Sequence, residues 1–135
     1  PLINDPKVLL PLDVIVVGKD GVRTTVPEDV QEDDKILDAG PETTEMLKSY
    51  IEKAEMILWN GPFGDYEHGF DKSTKECGLL VAEASGYSVI GGGDTVAALE
   101  DLHTQEKYSF LSTAGGAMLT FLEHGTLVAI EALKK

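Results

Sequence analysis

Three short apolar runs in the second half of the chain end in glycine-containing loops, and helical patterns lie between and after them. The runs cover residues 56–59, 87–90 and 108–111. Continuous apolar strands that alternate with helices are typical of a parallel sheet covered on both faces. Loops that follow parallel strands leave the same carboxyl edge of the sheet, where open α/β folds bind ligands. This pattern therefore constrains both the fold and the place of any site.

The sequence predicts one α/β domain with a doubly wound, Rossmann-like and mostly parallel sheet and helices on both faces. Apolar residues recur at helical spacing after Pro41, after Asp71, and over residues 95–102 and 116–124. The first section of the chain differs, because its apolar runs are short and rich in β-branched residues. Strands are predicted there at residues 8–10, 14–17 and 22–26, with a hairpin turn at Asp20-Gly21.

Composition limits the compartment and the partners. The 135 residues include 42% hydrophobic residues, enough for the core of one domain, and no apolar run approaches the roughly 20 residues of a membrane span. With no leader pattern, we expect a soluble, cytoplasmic protein. The chain begins at Pro1, which suggests a truncated sequence.

The net charge of −13 argues against nucleic acid or an acidic membrane surface as a partner. A polyanionic ligand would need a divalent cation, or basic residues from elsewhere, to neutralise it. Five acids within residues 28–34 are predicted to form a solvated connection. The single cysteine, Cys77, lies on an apolar helix face and is predicted to be a packed, inert thiol.

The loop after the run at residues 87–90 is the first candidate site. Its three glycines, residues 91–93, let backbone N–H groups approach a ligand closely, and Asp94 stands where it could hold a cation. The pattern suits a metal-bound phosphate, although it matches neither a Walker A loop nor the dinucleotide fingerprint. A tight turn in which Asp94 only caps the next helix is the alternative.

The other two loops offer further polar groups. Residues 112–117 open a helix with two glycines, whose exposed N–H groups would attract an anion or stabilise a phosphoryl group in transfer, unless they only form a capped turn. Asn60 can donate and accept hydrogen bonds at a strand end, and Glu67 could accept from a pair of sugar hydroxyls. Trp59 is predicted to belong to the core, and the three histidines to the surface.

Taken together, the three loops resemble the carboxyl-terminal nucleotide-binding domain of phosphoglycerate kinase. The segments that carry the resemblance are Trp59-Asn60-Gly61-Pro62 with Glu67, Gly91-Gly92-Gly93-Asp94-Thr95, Ser112-Thr113-Ala114-Gly115-Gly116-Ala117, Leu10-Pro11-Leu12-Asp13 and Asp38-Ala39-Gly40-Pro41. Their order and spacing agree with the family over nearly all of the chain. The resemblance implies that the full enzyme transfers a phosphoryl group between 1,3-bisphosphoglycerate and ADP, giving 3-phosphoglycerate and ATP in glycolysis, with magnesium.

The resemblance also implies roles for single residues. Asp94 would serve the magnesium ion and the phosphates of ADP or ATP, and Glu67 would bind the ribose hydroxyls. The helix opening at Gly115 and Gly116 would face the transferring phosphoryl group. The other positions implied for the nucleotide site are Asn60, Gly61, Pro62, Gly91, Gly92, Gly93 and Thr95.

The chain also departs from the family pattern. Ala114 stands where the family has a third glycine, Asp65 where it has an apolar residue beside the adenine, and Val128-Ala129 where it has Pro-Gly. In the family, the acyl-phosphate substrate binds a separate amino-terminal domain, and the lysines that neutralise the nucleotide phosphates come earlier in the chain. Residues 1–135 are thus expected to be a partial nucleotide-binding domain without the amino-terminal substrate domain.

Several expectations follow from a partial domain. We expect the sheet to be incomplete, and the unpaired edge to favour self-association. The isolated chain is expected not to turn over, with the missing amino-terminal part of the enzyme as its partner. Two other functions stay open: a non-catalytic nucleotide-binding or interaction module, favoured by Asp65 and Ala114, and an inert structural fragment whose loops are only turns.

Overall fold

The computed structural model describes residues 2–134 as two three-stranded sheets with helices. Pro1 and Lys135, at the ends of the predicted domain, lie outside the described residues. The strands are β1 (Val14–Gly18), β2 (Gly21–Thr25), β3 (Lys35–Ala39), β4 (Met56–Asn60), β5 (Tyr87–Gly91) and β6 (Phe110–Ser112). The helices are α1 (Pro41–Ile51), α2 (Lys72–Glu83), α3 (Gly93–Ala98), α4 (Gly115–His124) and α5 (Val128–Leu133). The predicted α/β class is confirmed.

The amino-terminal sheet is antiparallel, with the strand order β2-β1-β3. The predicted hairpin is confirmed, since Val17 pairs with Val22 and Gly18 with Gly21 around the turn. The strand predicted at residues 8–10 is wrong, because these residues are exposed and adopt no regular secondary structure. Both edges of β1 are already paired, to β2 and β3, so this apolar run finds no partner there.

The second sheet is parallel, with its strands in the sequence order β4-β5-β6. Helix α2 connects β4 to β5, and α3 lies between β5 and β6. A buried cluster of Val81, Ile90, Leu99 and Tyr108 packs between the helices and this sheet. The prediction of parallel strands connected by helices is therefore confirmed for this second sheet, which is three strands wide.

The boundaries of one helix and one strand differ from the predicted ones, because side chains there pack in the interior and the regular helix or strand does not extend over them. The helix predicted over residues 95–102 begins at Gly93 and ends at Ala98, and a 3-10 turn at Glu100–Leu102 follows it. Tyr108, predicted as the first residue of a strand, instead buries its ring and donates a hydrogen bond of 3.1 Å from its hydroxyl to the carbonyl of Gly78.

Two buried carboxylates fix the starts of the first two helices. Asp13 accepts hydrogen bonds from the backbone N–H groups of Glu42 and Thr43, at 3.1 and 2.8 Å, in the first turn of α1. Asp38, on β3, accepts from the N–H and the hydroxyl of Ser73 in the first turn of α2. Each acid thus satisfies helix N–H groups from a distant part of the chain.

The sequence predicts an inert thiol at Cys77 and a solvated acidic connection at residues 28–34. The structure agrees for Cys77 but not for one of the acids. Burial raises the pKa of the Cys77 thiol to about 12, which confirms a packed, unreactive group. The solvated connection predicted at residues 28–34 is wrong for Asp34, whose carboxylate receives two hydrogen bonds from Arg23, at 2.7 and 2.5 Å. This pair lowers the pKa of Asp34 and ties the connection to β2.

The helices between residues 2 and 134 are all too short or too polar to cross a membrane.

Candidate functional site

The ends of the three parallel strands lie side by side. Asn60, the last residue of β4, is in register with Gly91 of β5, and Gly91 is in register with Ser112 of β6. The three glycine-containing loops therefore start at one carboxyl edge of one sheet, as the sequence predicts. This is the edge at which open α/β sheets form ligand sites.

The carboxamide of Asn60 lies at the centre of this edge, against glycine backbone. A Cβ atom added at Gly91 or Gly92 would come within 3.2 Å of Asn60 Oδ1. At Gly115, a Cβ would overlap Asn60 Oδ1 and lie 2.8 Å from the Cα of Gly92. A side chain at Gly115 would therefore force two loops apart, one at Gly91 would displace the side chain of Met118, and one at Gly92 would strain a backbone with positive φ.

Hydrogen bonds join the loops to one another. The N–H of Gly92, a residue whose φ of 98° favours glycine, donates to the carbonyl of Ser112 at 2.9 Å. The hydroxyl of Thr95 is fully buried and accepts from the N–H of Gly61 at 2.8 Å. Thr95 is therefore a buried residue whose hydrogen bond connects the loop after β4 to α3.

Two acidic residues line the exposed side of the edge. Asp94 is exposed in the first turn of α3, and Tyr66 donates a hydrogen bond from its hydroxyl to Asp94 Oδ1 at 3.3 Å. Glu67 is exposed in the 3-10 turn at Tyr66–His68. Partial burial and the negative charges of Asp94 and Glu67 raise the pKa of Tyr66, whose phenol donates to Asp94.

Asp65, which departs from the family pattern, is held by a histidine and a lysine side chain. Its carboxylate lies 2.7 Å from His68 Nδ1 and 3.2 Å from Lys35 Nζ. The hydrogen bond with His68, supported by Lys35, lowers the pKa of Asp65. The charge is therefore compensated within the protein rather than left facing an apolar ligand group.

The amino end of α4 offers N–H groups to an anion. Gly115 begins the helix and is buried, whereas Gly116 is exposed. Within the described chain no side chain caps this end, because Ala114 occupies the cap position. The first turn of a ten-residue helix without a side-chain cap presents donors and a partial positive charge to a ligand.

Trp59 and the three histidines, which the sequence analysis does not assign to the site, have structural or surface positions. Trp59 packs against the core cluster, its ring centroid is 5.5 Å from that of Phe63, and its Nε1–H donates to the carbonyl of Gly61 at 2.7 Å, which confirms its structural role. All three histidines are exposed, as predicted. Among residues 2–134 no group of three or more His, Cys, Asp or Glu side chains could hold a metal ion.

Sequence reasoning missed three residues that organise the site. Tyr66 contacts Asp94, Asp38 anchors the start of α2, and the hydroxyl of Thr74 on α2 accepts from the N–H of Phe63 at 2.9 Å. The position of Tyr66 directly before Glu67 could have indicated that it lies at the site. Thr74 carried none, because a threonine in an amphipathic helix does not reveal which distant N–H it meets.

Comparison with known proteins gives the family. The phosphoglycerate kinase family model matches residues 3–125 of the chain. The chain is 41% identical over 138 aligned residues to a protein of Xanthobacter flavus named phosphoglycerate kinase, covering 96% of this chain and 35% of that protein. A phosphoglycerate kinase of Francisella philomiragia is 46% identical over 108 residues, covering 79% of this chain and 28% of the relative.

Solved structures agree with this match. Phosphoglycerate kinase from Coxiella burnetii superposes with a TM-score of 0.79 at 39% identity, covering 91% of this chain and 33% of that one. The enzyme from Pyrococcus horikoshii gives a TM-score of 0.81 at 28% identity, covering 97% of this chain and 33% of that one. The chain belongs to the phosphoglycerate kinase family, and it spans about a third of the length of these relatives.

The close packing at Asn60 predicts opposite results for two neighbouring glycines. Gly115→Ala should lower the free energy of unfolding by about 1–3 kcal/mol, because the new methyl group overlaps Asn60 and Gly92. Gly116→Ala is the matched control, since a Cβ there has no neighbour within 4 Å and alanine favours a helix by about 1 kcal/mol. Urea unfolding followed by circular dichroism measures both. Equal effects at the two positions would contradict the packing described here.

Proposed function

We propose that this chain forms part of the magnesium-nucleotide site of a phosphoglycerate kinase. Residues 1–135 would belong to the carboxyl-terminal nucleotide-binding domain, with the substrate domain outside these residues. The observation that carries the proposal is the meeting of three loops at one carboxyl edge, where Asn60, Gly91 and Ser112 are in register and Gly115 closes on Asn60. Family membership supports the same assignment.

The arrangement suits phosphoryl transfer, which needs positioning and charge compensation more than covalent participation by the protein. The reaction proposed for the whole enzyme moves a phosphoryl group from the acyl phosphate of 1,3-bisphosphoglycerate to ADP, in glycolysis. The N–H groups at the start of α4, around Gly115 and Gly116, would stabilise negative charge on the group in transfer. Glu67 would bind the ribose hydroxyls, while Asn60, Gly61 and Pro62 would line the nucleotide.

The charge of the edge supports a magnesium ion as part of the ligand. Residues 56–67 and 87–95 contain three acids, Asp65, Glu67 and Asp94, and neither these segments nor residues 108–117 contain lysine or arginine. Magnesium in proteins is commonly held by one or two carboxylates together with phosphate oxygens and water, so a single exposed acid such as Asp94 fits the need. When bound with the nucleotide, the ion would neutralise the negative charge of the phosphates, which this acidic chain cannot neutralise by itself.

The remaining positive charge would come from the rest of the enzyme. The chain carries a net charge of −13 and spans about a third of its relatives' length, so basic groups for the phosphates would lie in the other part of the protein. That part is the proposed partner of this chain. A cytoplasmic location accompanies the proposal, because glycolysis takes place there.

Magnesium-dependent ADP binding tests the proposal. In titration calorimetry the chain should bind ADP with magnesium and much more weakly without it. Asp94→Asn should weaken the magnesium-dependent affinity about 10- to 100-fold, because one charged ligand oxygen is lost while the shape is kept. The control is Glu106→Gln, which removes the same charge from an exposed turn that precedes β6, at the opposite edge.

Two results would contradict the assignment of the site. The first is the absence of heat at millimolar ADP with magnesium present. The second is an equal loss of affinity in the Asp94→Asn and Glu106→Gln variants, which would trace the effect to net charge alone.

We also propose that the isolated chain associates with itself. Strand β4 pairs only with β5 among the described strands, and Met56 and Leu58 on it are exposed. Phe121 on α4 and both Val128 and Leu133 on α5 are exposed as well, the last two at 89%. An unpaired strand edge and exposed apolar side chains each favour association with another copy.

Light scattering over a concentration series tests this association. The apparent mass should rise with concentration, and Leu58→Lys should reduce the rise, because a charge on an edge strand opposes pairing. Tyr50→Lys is the control, since it places the same charge on the exposed face of α1. A constant monomeric mass at high concentration would count against self-association.

A further inference from the structure

The segment of residues 61–70 is the least regular part of the site. It connects β4 to the start of α2, and its one regular piece is the 3-10 turn at Tyr66–His68. It nevertheless carries Pro62 and Glu67, two of the residues proposed to meet the nucleotide. Such a segment would lose conformational entropy when a ligand orders it, so whatever orders it beforehand favours binding.

Hydrogen bonds from three different elements hold this segment. The N–H of Gly61 donates to Thr95 Oγ1 on α3 at 2.8 Å, and the N–H of Phe63 donates to Thr74 Oγ1 on α2 at 2.9 Å. The N–H of Asp65 donates to the carbonyl of Leu37 on β3 at 2.8 Å. Two of the three acceptors are therefore side-chain hydroxyls, and both threonines are fully buried.

Thr74 is itself held firmly in place. It is the third residue of α2, next to Ser73, whose N–H and hydroxyl both donate to the buried carboxylate of Asp38 on β3. The start of α2 is thus fixed to the antiparallel sheet, and Thr74 passes this constraint on to the backbone of Phe63. The ring of Phe63 in turn packs beside Trp59, the residue before the last of β4.

We propose that Thr74 is a positioning residue that holds the 61–70 segment in the shape that presents Glu67 to the nucleotide; this rests on the function proposed above. Its hydroxyl touches no reacting group. It acts by accepting the N–H of Phe63, so the segment is ordered when the protein folds rather than when the ligand binds.

The test compares three variants of the whole chain. Thr74→Val keeps the shape of the side chain but removes the acceptor, whereas Thr74→Ser keeps the hydroxyl. Thr104→Val is the matched control, because Thr104 is also a buried threonine, and its hydroxyl bonds with that of Tyr108 at 2.9 Å, away from the segment. Hydrogen exchange of residues 61–70 is measured without ligand, and the dissociation constant of ADP with magnesium by calorimetry.

Thr74→Val should speed exchange within residues 61–70 and weaken ADP binding about three- to tenfold, the loss that one neutral hydrogen bond gives. Thr74→Ser should restore both quantities, and Thr104→Val should change neither. Unchanged exchange in Thr74→Val would overturn the proposal, as would an equal loss of affinity in Thr104→Val. If the unaltered chain binds no ADP, the proposed function fails, while the exchange measurement still decides whether Thr74 orders the segment.

Discussion

The absence of side chains at Gly91, Gly92 and Gly115 is the constraint on which the rest of the site depends. It lets the backbone of three separate loops close around the carboxamide of Asn60. The closure brings the first turns of α3 and α4 to the same edge of the parallel sheet. In the proposed site, Asp94 and the N–H groups of the α4 terminus would act on one ligand, although they are distant in sequence.

Buried polar groups give this edge its rigidity. Thr74 and Thr95 accept backbone N–H groups from the loop after β4, and Asp13 and Asp38 satisfy the first turns of α1 and α2. Because each of these groups is buried, losing a partner would leave an unsatisfied donor or acceptor, which is costly. Helix α2 thereby connects the two sheets, so the positions of the site residues depend on both sheets.

The sequence was informative where local patterns decide structure. Apolar runs and helical spacing predicted β4, β5, β6 and the helices α1 to α4, and glycine loops after parallel strands predicted the shared edge, whereas β3 and α5 were not predicted. It failed for residues 8–10, whose apolar character could not show that β1 already has two partners, and for Asp34, whose partner Arg23 is remote. The roles of Thr74 and Asp38 were equally hidden, because hydrogen bonds across about 10 to 35 residues leave no local pattern.

Amide chemical shifts of the isotope-labelled chain, recorded while ADP and magnesium are added, show whether the three loops form one nucleotide site. The largest shifts are expected to fall together in residues 60–67, 91–95 and 112–117, the three loops at one edge. Shifts confined to one loop, or centred on the antiparallel sheet, would show that these loops do not act as one nucleotide site.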